Sequence, residues 1–169
     1  CSNTVNLALQ VFPNPPQDTI AWSPSLTVCA GNTVTLTAPS GIAYTYLWST
    51  GATSSSIVVG ASGSYGVTIS DSNGCQMVPD DVSVVVLPLT LATIAGPDVI
   101  CDEDCIELKA PIGLGYTYQW FGNGGTLLPG EIGGSLSVCD NTLQSPYSVQ
   151  VTDQNGCTAT SLPYVVTLA

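Results

Sequence analysis

The sequence predicts an all-β chain, two tandem antiparallel β-sandwiches preceded by one orphan strand. Three observations carry this. Residues 28–48 (VCAGNTVTLTAPSGIAYTYLW) and 100–120 (ICDEDCIELKAPIGLGYTYQW) share nine identities in 21 at a constant offset of 72. Residues 65–75 (YGVTISDSNGC) match 147–157 (YSVQVTDQNGC) at an offset of 82, so ten extra residues fall between Trp120 and Tyr147. Period-two alternation runs through both copies, with no helical periodicity.

The first 13 residues are placed by the same ruler. Cys1 lies 28 residues before Cys29, as Cys75 lies 26 before Cys101, and each is followed by an apolar run ending in Pro. Residues 1–13 therefore read as the last strand of a preceding repeat, or as a strand lent to another molecule. Val5, Leu7, Leu9 and Val11 form its apolar row. An isolated strand satisfies neither its backbone groups nor its apolar face, so it needs a partner. Residues 14–22 form a Pro-rich linker and the start of the next strand.

Repeat 1 spans 23–88 and repeat 2 spans 89–169. In TVTLTA (33–38), Val34, Leu36 and Ala38 face one way; in CIELKA (105–110), Ile106, Leu108 and Ala110 do the same. Further strands are TYLWS (45–49), SIVV (56–59), YGVTIS (65–70) and VSVVVL (82–87). Their counterparts are TYQWF (117–121), LSVC (136–139), YSVQVT (147–152) and PYVVTL (163–168). Asp-Ser-Asn-Gly (71–74) and Asp-Gln-Asn-Gly (153–156) are hairpin turns. Short strands at this spacing give a sandwich per repeat. Trp48 and Trp120, placed identically, are core anchors rather than sugar platforms; Tyr65 and Tyr147 are packing residues.

Composition narrows function. Lys109 is the only basic residue, and with 12 acids and no His the formal charge is −11. Phosphate recognition needs several Lys or Arg, which excludes nucleic acid and anionic membrane partners. Without His, the commonest general base and metal ligand is missing. No apolar run is long enough to span a bilayer, and no signal peptide is visible, as expected of a mature or excerpted chain. Seven Cys in small β modules point to an oxidising, extracytoplasmic setting. The acids cluster in turns (Asp80-Asp81, Asp102-Glu103-Asp104) and no Ser has a His partner, so no catalytic residues are assigned.

The pattern Cys-x-Gly-x-x-Val-x-Leu-x-Ala, then Tyr-x-Trp, then Gly-x-Tyr-x-Val-x-Ile-x-Asp-x-Asn-Gly-Cys lies at 29–38, 46–48 and 63–75. It resembles the tandem immunoglobulin-like and PKD-like repeats of large secreted cell-surface proteins of the Bacteroidetes. Repeat 2 departs from it, with Asp102-Glu103-Asp104 in place of Ala-Gly-Asn and Pro146 before Tyr147. The resemblance implies Ig-like/PKD-like sandwiches in a Gram-negative adhesin, gliding protein or filament, extracellular or at the cell surface. It also suggests Thr19, in Asp-Thr-Ile, as an O-glycosylation position.

Cysteine spacing raises a conflict. Pairing Cys29 with Cys75, and Cys101 with Cys157, would join opposite ends of one sandwich, about 20 Å apart, whereas disulfide Cα atoms lie within about 7 Å. End-to-end stacking pairs Cys29 with Cys157 between repeats, and sends Cys75, Cys101 and Cys1 to neighbouring repeats or subunits. A second reading of Cys1 is a lipidated terminus. Cys105 and Cys139 occur only in repeat 2, both opposite in phase to core residues, and are expected to form a cross-strand disulfide; zinc is the rival, disfavoured without His or Cys-x-x-Cys. Asp102, Glu103 and Asp104 are candidate calcium ligands, against an ordinary acidic turn; no other cofactor is expected.

The leading expectation is a structural repeat segment that associates with itself by strand addition and disulfides. The alternative is an adhesive module that binds surface glycans through Trp22, Tyr44, Tyr116 or Phe121.

Overall fold

Alternation fixes which side of each strand turns inward, and the sheets follow from it. The structure is a computed structural model that describes residues 18–88 and 91–169. It divides into two units, 1–87 and 88–169. The strand expected over residues 1–13, with Cys1, Val5, Leu7, Leu9 and Val11, lies outside the described residues.

In the first unit one sheet has the order β1 (Ala21–Ser23), β3 (Val34–Thr37), β5 (Ser56–Val59), all antiparallel. The opposing face contains β2 (Thr27–Cys29), β9 (Val82–Leu87) and β6 (Gly63–Tyr65), continued by β8 (Gln76–Met77), β7 (Val67–Ser70) and β4 (Thr45–Trp48). β2 runs parallel to β9. The first strand of the sandwich thus begins in one sheet and ends in the other, with Pro24 at the crossing. Ile20, Val34, Leu36, Trp48, Val67, Ile69 and Val84 are buried between the faces.

Alternation predicted one unbroken strand over 65–70. The structure breaks it at Gly66. Pairing passes from Tyr65↔Val82 to Ile69↔Met77, so residues 66–68 face 78–81, and the extra residue makes a β-bulge. Pro79 lies in the bulge, where a missing N–H costs no ladder bond. A side chain at residue 66 would strike the Asp81 carboxylate, which sits against Gly66.

The second unit repeats the plan with β10 (Val99–Ile100), β11 (Cys105–Lys109), β12 (Thr117–Phe121), β13 (Ser135–Cys139), β14 (Ser148–Thr152), β15 (Thr158–Thr160) and β16 (Thr167–Leu168). β11 pairs β13; β12, β14 and β15 form the facing sheet; β10 runs parallel to β16. The predicted last strand over 163–168 is shorter than expected. Only β16 and the Tyr147↔Tyr164 bridge pair there, while β15 takes up the pairing earlier. Pro163 offers no N–H, and the Val166 N–H is satisfied by Ser145 Oγ at 2.8 Å rather than by a strand.

Both tryptophans are core anchors, 2% and 0% exposed. Each indole still has a partner: Trp48 Nε1–H donates to Ser54 O at 2.8 Å and Trp120 Nε1–H to Gly133 O at 2.9 Å. The tyrosine two residues earlier is equally matched, Tyr46 Oη–H donating to Pro39 O and Tyr118 Oη–H to Pro111 O. Tyr65 Oη–H donates to Ala61 O four residues back, the tyrosine corner of immunoglobulin-type sandwiches. Tyr147 reaches its own loop the other way, accepting the Gln144 N–H.

The ten extra residues of repeat 2 fold along the outer edge of β12. Gly122 N–H donates to Thr126 O at 2.8 Å, Leu128 N–H to Trp120 O at 3.0 Å, and Trp120 N–H to Glu131 O at 3.3 Å. In the first unit a short turn does this, with Trp48 N–H donating to Ala52 O.

Candidate functional site

The features that set this chain apart are its cysteines and the turns that hold them. Cys75 closes the 71–75 turn. Asp71 Oδ1 accepts the N–H of Asn73 at 2.8 Å and of Cys75 at 2.9 Å, and Gly74 takes φ 80°. The 153–157 turn is the same object: Asp153 Oδ1 accepts from Asn155 at 2.8 Å and Cys157 at 3.0 Å, with Gly156 at φ 79°. Each is a three-residue hairpin loop, a type I turn closed by a left-handed glycine. This is why Asp-x-Asn-Gly-Cys recurs.

Cys29 and Cys101 open the other turn of each repeat. Asn32 N–H donates to Cys29 O, and Asp104 N–H to Cys101 O. In the first unit β1 is antiparallel to β3, β2 is parallel to β9, and β6 is antiparallel to β9. β3 and the β6–β7 strand therefore run the same way. The turn before β3 and the turn after β7 lie at opposite ends, which separates Cys29 from Cys75. Cys75 and Cys101 are free thiols, half-buried and exposed respectively. Cys29 and Cys157 are each disulfide-bonded.

Cys105 and Cys139 face each other across β11 and β13 and are joined, with Cα atoms 4.1 Å apart. Ala110 N–H donates to Gly134 O, which fixes the alternation and makes Cys105↔Cys139 a non-hydrogen-bonded pair, the type with the shorter Cα separation. Where antibody domains carry a disulfide between the sheets, this chain places Val34, Leu36, Val67 and Ile69.

The acidic turn is the candidate calcium site; among the described residues no three acidic, thiol or imidazole groups gather to hold a metal ion. Asp104 Oδ1 accepts the next N–H, that of Cys105, at 2.8 Å, and Glu103 N–H donates to Asp140 Oδ2 at 2.8 Å. The Asp104 and Asp140 carboxylates are thus turned toward the chain's own amides, which sequence adjacency could not show.

The aromatic candidates differ in exposure. Tyr44 and Tyr116 are half-buried against their cores, with rings folded over Gly41 and Gly113 where a Cβ would clash. Phe121 is half-buried and bridges to Leu127. Trp22 on β1 is the most exposed of the four, at 49%. Thr19 is exposed beside the buried Ile20. The one ion pair among the described residues joins Lys109 to Glu107 at 3.1 Å. Its hydrogen bond, then that of Ser135, then the Lys109 charge, hold the Glu107 carboxyl below its ordinary range.

Sequence reasoning missed the site made by the extra residues of repeat 2. Leu128, Pro129 and Glu131 line an open groove of about 270 Å³ together with Leu136, Ser137 and Val138 of β13. The ten-residue offset was its only signal.

The strand order is that of an immunoglobulin-like sandwich in each unit, with the first strand shared between sheets. No family model matches the chain, and no curated protein matches it. Among solved structures it is similar to murine CEACAM1b, at 15% identity over 89% of this chain and 99% of that one, TM-score 0.44. It is also similar to three N-terminal domains of the bacteriophage RB49 outer capsid protein Hoc, at 16% identity over 89% of this chain and 59% of that one, TM-score 0.43. A third is the four N-terminal Ig domains of Dscam1 isoform 6.9, at 14% identity over 91% of this chain and 47% of that one, TM-score 0.39. The chain spans about half the length of that structure. These likenesses concern fold alone. The disulfides belong to a protein of the oxidising, extracellular or surface compartment, and among the described residues no helix is long and apolar enough to cross a membrane.

Proposed function

We propose that this chain is a structural repeat segment of an extracellular surface protein or filament, of the Bacteroidetes type, assembling end to end through disulfides and strand addition. One observation supports this above the rest. Four cysteines occupy two repeat-equivalent positions at opposite ends of each sandwich; Cys29 and Cys157 are oxidised, while Cys75 and Cys101 are free. On this reading Cys29 pairs with Cys157 and joins repeat to repeat, while Cys105 and Cys139 are bonded to each other. Cys75 then bonds the equivalent of Cys29 in a preceding repeat or subunit, and Cys101 the equivalent of Cys157 in a following one.

The work of such a segment is mechanical: it holds length and stiffness and contributes no catalytic group. Its Ser- and Thr-rich outer faces and its low content of charged residues, 8%, suit packing between copies. Residues 1–13 supply the strand for addition, with Cys1 bonded to a neighbour. Thr19 is a position for glycosylation, checked by intact mass.

Non-reducing peptic mapping tests the staple. It is expected to yield a Cys29–Cys157 cross-linked peptide that separates on reduction. A Cys29–Cys75 peptide would overturn the end-to-end reading. Glycan-array binding that is lost on Trp22→Ala would favour the adhesive alternative.

A further inference from the structure

Two of the departures of repeat 2 from repeat 1, the ten-residue insertion and the Cys105–Cys139 disulfide, both act on β13. The strand pairs with β11 along one edge, and among the described residues no strand covers its other edge. Because Ala110 N–H bonds Gly134 O, the backbone groups of Leu136 and Val138 point at β11, and those of Ser135 and Ser137 point outward. Along that open edge runs the 270 Å³ groove. Leu136 and Val138 turn into the core and Ser137 turns out, yet all three line it, so it follows the strand edge rather than one face. Leu128, Pro129 and Glu131 of the insertion line it together with Thr142, Gln144 and Tyr147, and the disulfide joins one end of β13 to β11.

A groove beside an unpaired strand edge, lined in part by apolar side chains, is the form that accepts an added β-strand. The chain contains one strand-like segment of matching character. Residues 4–12 (TVNLALQVF) alternate Val5, Leu7, Leu9 and Val11 with Asn6, Ala8 and Gln10, and residues 1–17 carry no charged side chain. An uncharged strand suits a chain of net charge −11, whose copies otherwise repel.

We infer that the open edge of β13 is the acceptor site for residues 4–12 of a second copy of this chain. The apolar row enters the groove against Leu128, Leu136 and Tyr147, and the polar row lies outside beside Ser135 and Ser137. Ser137 N–H and C=O supply main-chain hydrogen bonds. The inference rests on the reading that copies assemble by strand addition, and it names the surface that receives the strand.

The test uses the full chain carrying Leu7→Asp and Leu9→Asp, so that its own segment cannot compete. The probe is a fluorescein-labelled peptide of residues 2–13, without Cys1, with a photoreactive benzophenone at position 9. Saturable anisotropy binding, absent for a scrambled peptide, and photo-cross-links within 127–147 are expected. Ser137→Pro and Leu128→Asp, where circular dichroism shows them folded, should each weaken binding tenfold or more; Leu47→Asp in the first unit should leave it unchanged. No binding, cross-links elsewhere, or undiminished binding by the folded variants would overturn the site. A Cys29–Cys157 peptide found alongside such a failure would retain the end-to-end function and remove this acceptor alone.

Discussion

Glu103 holds in the second repeat the left-handed backbone that Gly31 holds in the first, at φ 60° and 89°. The two are equivalent at the offset of 72. The reciprocal exchange occurs before the first tyrosine of the Tyr-Thr-Tyr motif, where Ala43 has φ 59° and Gly115 φ 70°. Each repeat thus keeps both turns and places a non-glycine residue in one of them. A Cβ in this region costs about 1–2 kcal/mol, and glycine gives back about 0.5–1 kcal/mol as unfolded-state entropy.

Glu103→Gly should therefore stabilise the second unit by about 0.5–1 kcal/mol, and Ala43→Gly the first by a similar amount. Gly31→Ala should act in the opposite sense. Amide hydrogen exchange of β11 and of β3 reads the two units separately. A loss of protection in Glu103→Gly would contradict the backbone argument.

The tryptophans join burial to a hydrogen bond, and two substitutions separate these contributions. Trp120→Ala should cost about 3–5 kcal/mol through lost burial and the cavity left behind. Trp120→Phe keeps most of the apolar volume but leaves Gly133 O without its donor, costing about 1–3 kcal/mol. Urea unfolding of each variant gives the values; a Phe variant as stable as wild type would show that the indole bond contributes nothing.

Most of the architecture was legible because alternation has a single reading when one face is buried. Leu108 and Ile106 set the phase of β11, and that phase placed Cys105 outward, opposite Cys139. The bulge at 78–81 was not legible, since one extra residue beside Pro79 shifts the register of a partner the sequence does not identify. The crossing of the first strand between sheets depends on β9 competing with β3 for residues 27–29, a tertiary choice. In the acidic turn, the direction of the Asp104 carboxylate was decided by the nearest amide, Cys105 N–H. The groove beside β13 depends on how the inserted residues fold back beside the strand, and beyond the ten-residue offset no local pattern records that.

The Cys105–Cys139 bond closes a loop with a sequence separation of 34. Cys105→Ser combined with Cys139→Ser should cost the second unit about 2–4 kcal/mol and leave exchange in β3 unaltered. A drop shared equally by β3 and β11 would mean that the disulfide supports more than its own sandwich.

Glu107 sets a small pH dependence. Its carboxyl is held below the ordinary range by the Lys109 hydrogen bond first. A lowered folded-state value makes the contribution complete above the unfolded carboxylate's pKa, and it is lost as pH falls through the folded value. Both side chains are exposed, so the amplitude is slight. The melting-temperature gap between wild type and Lys109→Gln should close on acidification; a gap that widens would reverse the sign.

Asp71 links turn geometry to thiol chemistry. Its Oδ1 accepts from both Asn73 and Cys75, so one oxygen holds the backbone that carries the half-buried free thiol. Asp71→Ala removes both bonds and should cost about 1–2 kcal/mol; Asp71→Asn keeps an acceptor oxygen and should cost less. The loosened turn exposes Cys75, so its reaction with an aromatic disulfide reagent should quicken several-fold in Asp71→Ala, while Cys101 in the other unit reacts at its wild-type rate. Mass spectrometry of the labelled peptides separates the two thiols. Equal acceleration at Cys101 would show general unfolding, and an unchanged rate at Cys75 would show that the Asp71 bonds do not govern access to the sulfur.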